Sequence, residues 1–324
     1  MAQHRTIVFS RRRRLALLGA CGLASAALPA WAAPVQAAAA TTEPLRVVAS
    51  FSILADMVRE VGGPAVAVTA LVGPDADAHV YTPSPADVKR VAGAQLLVFN
   101  GLGFEGWLQR LVKASGYRGK VLLASQGVKP LQEVELGGKD HGGHDHGSQD
   151  PHAWQNLSHG RQYVENIRAA LVQALPAQAA AITQRARDYR AQLQALDTEL
   201  RSGLAAVPQT QRRVITTHDA FAYLGANYGI EFLAAQGWNS GSEPSARDVA
   251  HLIRQIRTQR VRAVFMENIS DPRLIERIAA EGKATVGGTL YSDALSAPSG
   301  PAATYLQMQR HNGTLLLKAL RQPP

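Results

Sequence analysis

From Leu45 almost to its end, the chain alternates short β-rich runs with segments of helical periodicity. The first series of runs is LRVVASF, AVAVTALV, QLLVFN and KVLLAS, and the second is RRVITTH, EFLAAQG, RAVFMEN and ATVGGTLYS. Between successive runs, apolar residues recur at the three- and four-residue spacing of amphipathic helices. Such alternation is typical of parallel sheets covered by helices. The sequence therefore predicts an α/β protein with two lobes, each built on a mainly parallel sheet.

A long helical tract, residues 158–207, separates the two series. Pro176 interrupts it, and its second part is rich in Ala, Gln, Arg and Leu, which are good helix formers. At 1.5 Å per residue, about 30 residues span about 45 Å, which is enough to cross both lobes. One alternative is a coiled-coil arm, but we expect a single rigid connector between lobes at 45–157 and 208–324. Its apolar stripe consists of Ile182, Tyr189, Leu193, Leu196 and Leu200.

Residues 1–32 have the order of an export signal, and residues 33–44 that of a flexible small-residue tether. Arg5 and the run Arg11–Arg14 precede an apolar stretch, and small residues suit cleavage near Ala33. The arginine run leaves both the general secretory route and the twin-arginine route open. Cys21 lies in a lipobox-like order, but the apolar run continues past it, which favours soluble release into the periplasm over lipidation. Since Cys21 is the only cysteine, cleavage would exclude disulfides and thiol catalysis.

The net charge of +9 does not indicate a nucleic-acid partner. Five of the 34 basic residues lie in the export segment, before any acidic residue, and 29 basic residues face 25 acidic ones in the remainder. No basic patch interleaved with aromatic residues is left.

Four short motifs each carry a metal-capable side chain: DAHVY with His79, DPHAW with His152, TTHDAF with His218 and LYSDALS with Asp293. Three imidazoles and one carboxylate form a donor set suited to zinc. Parallel sheets bind ligands beyond the carboxyl ends of their strands, where three of these residues fall. Alone, a histidine at a strand end is commonly a surface residue, and Asp293 could cap the following segment.

The stretch KDHGGHDHGSQDPH contains no apolar periodicity and predicts a mobile loop over residues 139–149. Histidine-rich tracts bind metals, so His141, His144 and His146 could capture ions transiently. The alternative is a solvated loop whose histidines have no specific role.

The longer motifs DAHVYTPSPADVKRVAGAQLLVFNGLGFEGWLQRL, DPHAWQN, TTHDAFAYLGANYGIEF and GTLYSDALS resemble a known family. Over roughly residues 44–322, the chain is similar to the metal-binding solute receptors of ABC importers, the cluster A-I family, and especially to its zinc-binding periplasmic members. The resemblance implies two α/β lobes bridged by one long helix, with a metal in the cleft between them. It also implies that His79, His152, His218 and Asp293 are the ligands.

The resemblance also bears on which metal the site prefers, through the residue at position 218, which is His218. Manganese receptors of the family usually have a glutamate at this position, and an imidazole shifts the preference toward zinc, although iron, nickel and copper stay open. A fourth ligand from Asp293 would close the coordination sphere, as in a binding site, whereas catalytic zinc keeps an open position. The resemblance thus implies a monomeric receptor, not an enzyme, that delivers Zn(II) to a membrane permease and could receive it from a periplasmic donor.

Three alternatives remain from the sequence. A manganese receptor of the same family is the nearest, and a zinc hydrolase would require Asp293 to lie outside the coordination sphere, although the chain has no HExxH motif. A surface adhesin, a label attached to some members of the family, is supported by neither repeats nor an anchoring signal.

Residues near the motifs have predicted supporting roles. Acids close to the ligands could orient the imidazoles or could act as loop caps; they are Asp77, Asp219 and Glu267. We expect Trp107 and Trp154 to be packing residues. The remaining histidines of the two lobes lack matching contexts and are expected on the surface or in the core; they are His159, His251 and His311.

Overall fold

Eight strands and nine helices alternate along the described part of the chain. The computed structural model describes residues 43–131 and 149–321, apart from positions 239, 242, 243, 260 and 262. The predicted export signal, most of the tether and the three histidines of the 139–149 segment therefore lie outside the described residues. No helix among the described residues has both the length and the apolar character that crossing a membrane requires.

The first sheet has four strands in the order β2, β1, β3, β4, and all pairings are parallel. Its central strands are buried along nearly their whole length, as expected where helices cover both faces. The elements of this region are β1 (Leu45–Phe51), α1 (Ser52–Gly62), β2 (Val66–Val72), α2 (Pro85–Ala92), β3 (Leu96–Phe99), α3 (Leu108–Ser115) and β4 (Lys120–Leu123).

The second sheet repeats this arrangement, with parallel strands in the order β6, β5, β7, β8. One of its faces shares a hydrophobic core with the first sheet, and α7 and α8 cover the other through a smaller core. Its elements are β5 (Arg213–His218), α6 (Ala222–Tyr228), β6 (Glu231–Gln236), α7 (Ala246–Gln259), β7 (Ala263–Glu267), α8 (Pro272–Gly282), β8 (Thr285–Leu290) and α9 (Tyr305–Arg321). The predicted fold class, α/β with two parallel sheets, is confirmed.

In the sequence, two helices connect the strands of the first sheet to those of the second: α4 (Leu157–Ala174) and α5 (Ala179–Ala205). Pro176 lies in the short turn between them, because proline cannot donate the backbone hydrogen bond that a continuing helix requires. All five residues of the predicted apolar stripe are buried on α5. This helix contacts α1 beside the first sheet and α6 and α9 beside the second.

Helix α2 begins with a capping box that also anchors the loop before it. The Ser84 side chain accepts the Asp87 amide, and the Asp87 carboxylate accepts the Ser84 amide at 2.8 Å. Asp87 also accepts the hydroxyl of Tyr81 at 2.7 Å. Because Tyr81 lies two residues after His79, the start of α2 restrains the loop that carries this histidine.

The N-terminus of α9 is capped by a carboxylate from another helix. Asp56 of α1 is 6% exposed, and its Oδ2 accepts the amide of Tyr305 at 2.8 Å. The first amides of a helix lack partners within it, so this contact satisfies one of them. Burial raises the pKa of Asp56 to about 7, although the bond from Tyr305 opposes the shift.

The variant Asp56→Asn should therefore remove a pH-dependent part of the stability. Because this pKa is higher in the folded state than in the unfolded one, the free energy of unfolding falls as the pH rises toward the folded value. Between about pH 5.5 and about pH 7, the wild type should lose about 1.6 kcal/mol relative to the variant, whose amide can still accept from Tyr305. Urea denaturation of both proteins at the two pH values measures this difference. A difference that stays constant with pH would contradict the prediction.

Candidate metal site

The structure brings the four predicted ligands together from four parts of the chain. His79 lies in the loop between β2 and α2, and His152 precedes a short turn before α4. His218 ends β5, and Asp293 follows β8. One potential ligand atom from each residue lies within 4.8 Å of those of the other three. The convergence that the sequence could only suggest is thus present in the fold.

The distances between these atoms suit a single small ion. Oδ2 of Asp293 lies 3.1 Å from Nε2 of His79 and 3.2 Å from Nε2 of His218. Nε2 of His152 lies 3.2 Å from that of His79 and 3.7 Å from Oδ1 of Asp293. A zinc ion bound tetrahedrally at about 2.0 to 2.1 Å from its donors separates them by about 3.3 Å. The separations of 3.1 to 3.2 Å are close to this value, and all four candidate ligand atoms lie within 4.8 Å of one another.

The site is buried and asymmetric in its exposure. The side chains of His152, His218 and Asp293 are fully buried, and that of His79 is 7% exposed. Oδ1 of Asp293 has no hydrogen-bond partner among the described residues. A buried carboxylate oxygen without a partner is costly, and a bound cation would satisfy it. The site is therefore closest to solvent at His79.

The charges of the site are strongly interdependent. Burial raises the pKa of the Asp293 carboxyl, but the facing imidazoles of His152 and His218 hold it well below its usual range. For His218, burial lowers the pKa, but Glu267 and Asp293 raise it well above its ordinary value. The cluster therefore keeps a carboxylate ionised in the interior, as a cation-binding site requires.

Two buried carboxylates orient the deepest imidazoles. Nδ1 of His152 lies 2.8 Å from Oδ1 of Asp150, and Nδ1 of His218 lies 2.6 Å from Oε2 of Glu267. Each carboxylate also accepts the backbone amide of the same histidine, at 2.9 and 2.8 Å respectively. With Nδ1 beside a carboxylate in both histidines, and hydrogen-bonded to it in His152, Nε2 is presented to the site, an arrangement common around metal-binding histidines.

Sequence reasoning named Glu267 as such an acceptor but missed Asp150. A signal was present in the chain, since Asp77 and Asp150 each stand two residues before a candidate ligand histidine. An aspartate readily accepts the amide two residues on, and both do so here, at 2.8 and 2.9 Å. For Asp219, also named as a possible acceptor, burial raises the pKa of the carboxyl, and the nearby imidazoles of His152 and His218 oppose the shift.

The loop of His79 is held by contacts on both sides of the histidine. The ring packs edge-on against Phe104, with centroids 4.7 Å apart. Nε1 of Trp107 donates to the carbonyl of Ala78 at 2.8 Å, so this tryptophan holds the loop as well as packing in the core. The hydroxyl of Ser240 bonds to Asp77 and so connects this loop to the segment after β6.

Residues next to His152 also bind the segment that carries Asp293. Nε1 of Trp154 and Nε2 of Gln155 both donate to the carbonyl of Ser292, at 2.9 and 2.7 Å. The expected packing role of Trp154 is thus accompanied by a polar one. These bonds fix the separation of two candidate ligands, His152 and Asp293, that are far apart in sequence.

The other histidines of the described residues lie away from the cluster. His159 packs on the ring of Tyr223 with centroids 5.3 Å apart, His251 is exposed on α7, and the ring of His311 bonds to the carbonyl of Thr289 at 3.0 Å.

Comparison with known proteins gives a consistent result. The profile of the family described as zinc-uptake complex component A, periplasmic, matches residues 47–319. The manganese-binding lipoprotein MntA of Bacillus subtilis is 32% identical, over 86% of this chain and 90% of that protein. The iron-binding protein YfeA of Yersinia pestis is 31% identical, over 83% and 84%.

A solved structure shares both fold and length with this chain. The periplasmic zinc-binding protein TroA of Treponema pallidum superposes with a TM-score of 0.79 at 28% identity, over 86% of this chain and all of that one. By sequence, TroA is 31% identical, over 87% and 91% of the two chains. The three relatives are thus named for three different metals.

Proposed function

The chain belongs to the family of periplasmic zinc-uptake complex component A proteins, and on this premise we propose that it is an extracytoplasmic receptor for zinc. It would bind Zn(II) between its two sheets and deliver it to the membrane permease of an ABC importer. The description of the family as a component of an uptake complex supports the permease as partner.

The observation that carries the proposal is the convergence of three imidazoles and one carboxylate in a buried cluster. Four protein donors suffice for tetrahedral zinc and leave no open position for a reactive water. Asp293 lies 3.1 to 3.2 Å from two imidazoles, within the set of donors. This supports a carrier site over the hydrolase that the sequence left open.

The choice of zinc rests on the donors, because relatives of similar identity are named for manganese, iron and zinc. Manganese prefers carboxylate, carbonyl and water oxygens, whereas imidazole suits zinc. Three of the four donors here are imidazole nitrogens, and the fully buried His218 is one of them. A site with this composition favours zinc over manganese.

Competition titration of the purified protein with zinc and manganese tests the proposal. We expect one zinc ion per chain and displacement of bound manganese by zinc, since affinity in nitrogen-rich sites is lowest for manganese. Elemental analysis of protein isolated from the periplasm gives the metal carried in the cell. Manganese that zinc cannot displace would contradict the zinc assignment, and absence of binding for both would contradict the receptor.

The affinity should also depend on pH. An imidazole must be neutral to ligate, so metal binding releases protons. Because Glu267 and Asp293 raise the pKa of His218 against the effect of burial, its ring holds a proton at neutral pH that zinc must displace. The apparent zinc affinity should therefore rise with pH, by up to about tenfold per unit for each proton released. Calorimetry in buffers of different ionisation enthalpy counts these protons, and a count of zero would contradict the prediction.

A further inference from the structure

The hydroxyl of Tyr223, on α6, is part of a closed ring of three hydrogen bonds. The amide of Leu131 donates to this hydroxyl at 3.0 Å, and the hydroxyl donates to the carbonyl of Asp150 at 2.9 Å. The amide of Asp150 donates back to the carbonyl of Leu131 at 3.0 Å. One side chain from beside the second sheet thus holds together two backbone segments that extend from the first.

This ring leads directly to a candidate ligand. Oδ1 of Asp150 lies 2.8 Å from Nδ1 of His152 and accepts its backbone amide at 2.9 Å. Asp150 is 1% exposed and His152 is fully buried, so neither side chain can readily reorient. We propose that Tyr223 is a positioning residue for metal binding: by fixing the backbone of Asp150, its hydroxyl holds the imidazole of His152 in the ligating orientation. This inference rests on the proposed metal-binding function.

Tyr223 also connects this ligand to another one. It follows His218 by five residues, and a tight turn with a 3.0 Å bond from the amide of Ala220 to the carbonyl of His218 joins β5 to α6. The position of His152 is therefore set relative to the segment that carries His218. A metal that needs both imidazoles at once would depend on this connection.

The hydroxyl is suited to a permanent structural bond. Tyr223 is 1% exposed, and burial raises its pKa to about 12, so the hydroxyl keeps its proton throughout the neutral range. The substitution Tyr223→Phe removes only this oxygen and leaves the ring in place. Tyr228→Phe is a matched control, because Tyr228 lies on the same helix, is 5% exposed, and bonds instead to Asp197 at 2.9 Å.

The test measures zinc affinity and zinc release rate for the wild type and both variants in the full chain. Loss of a partner beyond the ligands costs about 10- to 100-fold in metal affinity, and Tyr223 acts through Asp150, so we expect about a tenfold loss for Tyr223→Phe. Release should accelerate correspondingly. Tyr228→Phe should lower the unfolding midpoint while leaving both metal parameters unchanged.

A spectroscopic measurement separates positioning from a general loss of stability. The visible absorption of the Co(II)-loaded protein reports the geometry of the ligands, and it should change in Tyr223→Phe but not in Tyr228→Phe. Wild-type zinc affinity and an unchanged cobalt spectrum in Tyr223→Phe would overturn this inference while leaving the receptor proposal intact. Failure of the wild type to bind zinc or manganese would overturn both.

Amide hydrogen exchange in the wild type provides a test that needs no variant. If the ring of bonds opens only when His152 releases the ion, zinc at about 100 times its dissociation constant should slow exchange of the Leu131 amide by up to about 100-fold. Exchange of this amide at the same rate with and without zinc would overturn the inference.

Discussion

Replacing His218 by alanine is expected to lower the zinc affinity about a thousandfold. The variant loses one of four donors and leaves Asp293 and Glu267 buried without the imidazole that faces them both. Loss of a group that only supports a ligand costs about 10- to 100-fold in metal affinity, so loss of a ligand itself should cost more, and about 4 kcal/mol of binding free energy corresponds to a thousandfold change. Titration against a chelator of known zinc affinity measures the change, with circular dichroism to establish that the variant is folded.

The control for this experiment is His251→Ala, which removes an exposed imidazole from α7. It should leave the affinity unchanged, since His251 is not part of the cluster of four. A folded His218→Ala protein with the affinity of His251→Ala would exclude His218 as a ligand. The proposed preference for zinc would then lose its basis, because the site would retain two imidazoles and one carboxylate.

Strands and helices of this protein could be predicted because their signals are local. The run RRVITTH, for example, predicted the strand that the structure places at Arg213–His218. Pro176 likewise marked the break between α4 and α5. The order of the strands in each sheet has no such local signal. Strand β1 pairs with both β2 and β3, although helices separate these strands in the sequence.

The candidate site likewise has a part that local motifs predicted and a part that they did not. Its four candidate ligands stood in recognisable motifs, and Glu267 was named as an acid near those motifs. The role of Tyr223 was not foreseen, because its hydroxyl meets Asp150 across 73 residues of chain. The cap that Asp56 provides to Tyr305 spans 249 residues. Such contacts depend on how the two halves of the chain are packed, which local periodicity does not encode.

Replacing Asp197 by alanine is expected to cost about 3 to 5 kcal/mol of stability. Asp197 of α5 is 3% exposed, and its Oδ1 accepts the hydroxyl of Tyr228 at 2.9 Å and the side-chain amide of Asn227 at 3.2 Å. Its carboxylate also lies 3.6 Å from a guanidinium nitrogen of Arg161 and 3.4 Å from one of Arg201. The variant would leave the buried hydroxyl of Tyr228 and the guanidinium of Arg161 without this acceptor, whereas Arg201 keeps its bonds to Asn227. Each buried donor left without a partner costs about 1 to 3 kcal/mol.

Glu199→Ala is the matched control, because it removes a second carboxylate from the same helix. Glu199 pairs with Arg310 at 2.8 Å, but both side chains are more than half exposed, and such surface pairs contribute about 0 to 1 kcal/mol. Alanine favours the helix in both variants, so helix propensity cannot explain a difference between them. Urea denaturation at neutral pH compares the two free energies of unfolding. A loss at Asp197 no larger than that at Glu199 would mean that water replaces the carboxylate, and that this buried charge is not what joins α4 and α6 to the connecting helix.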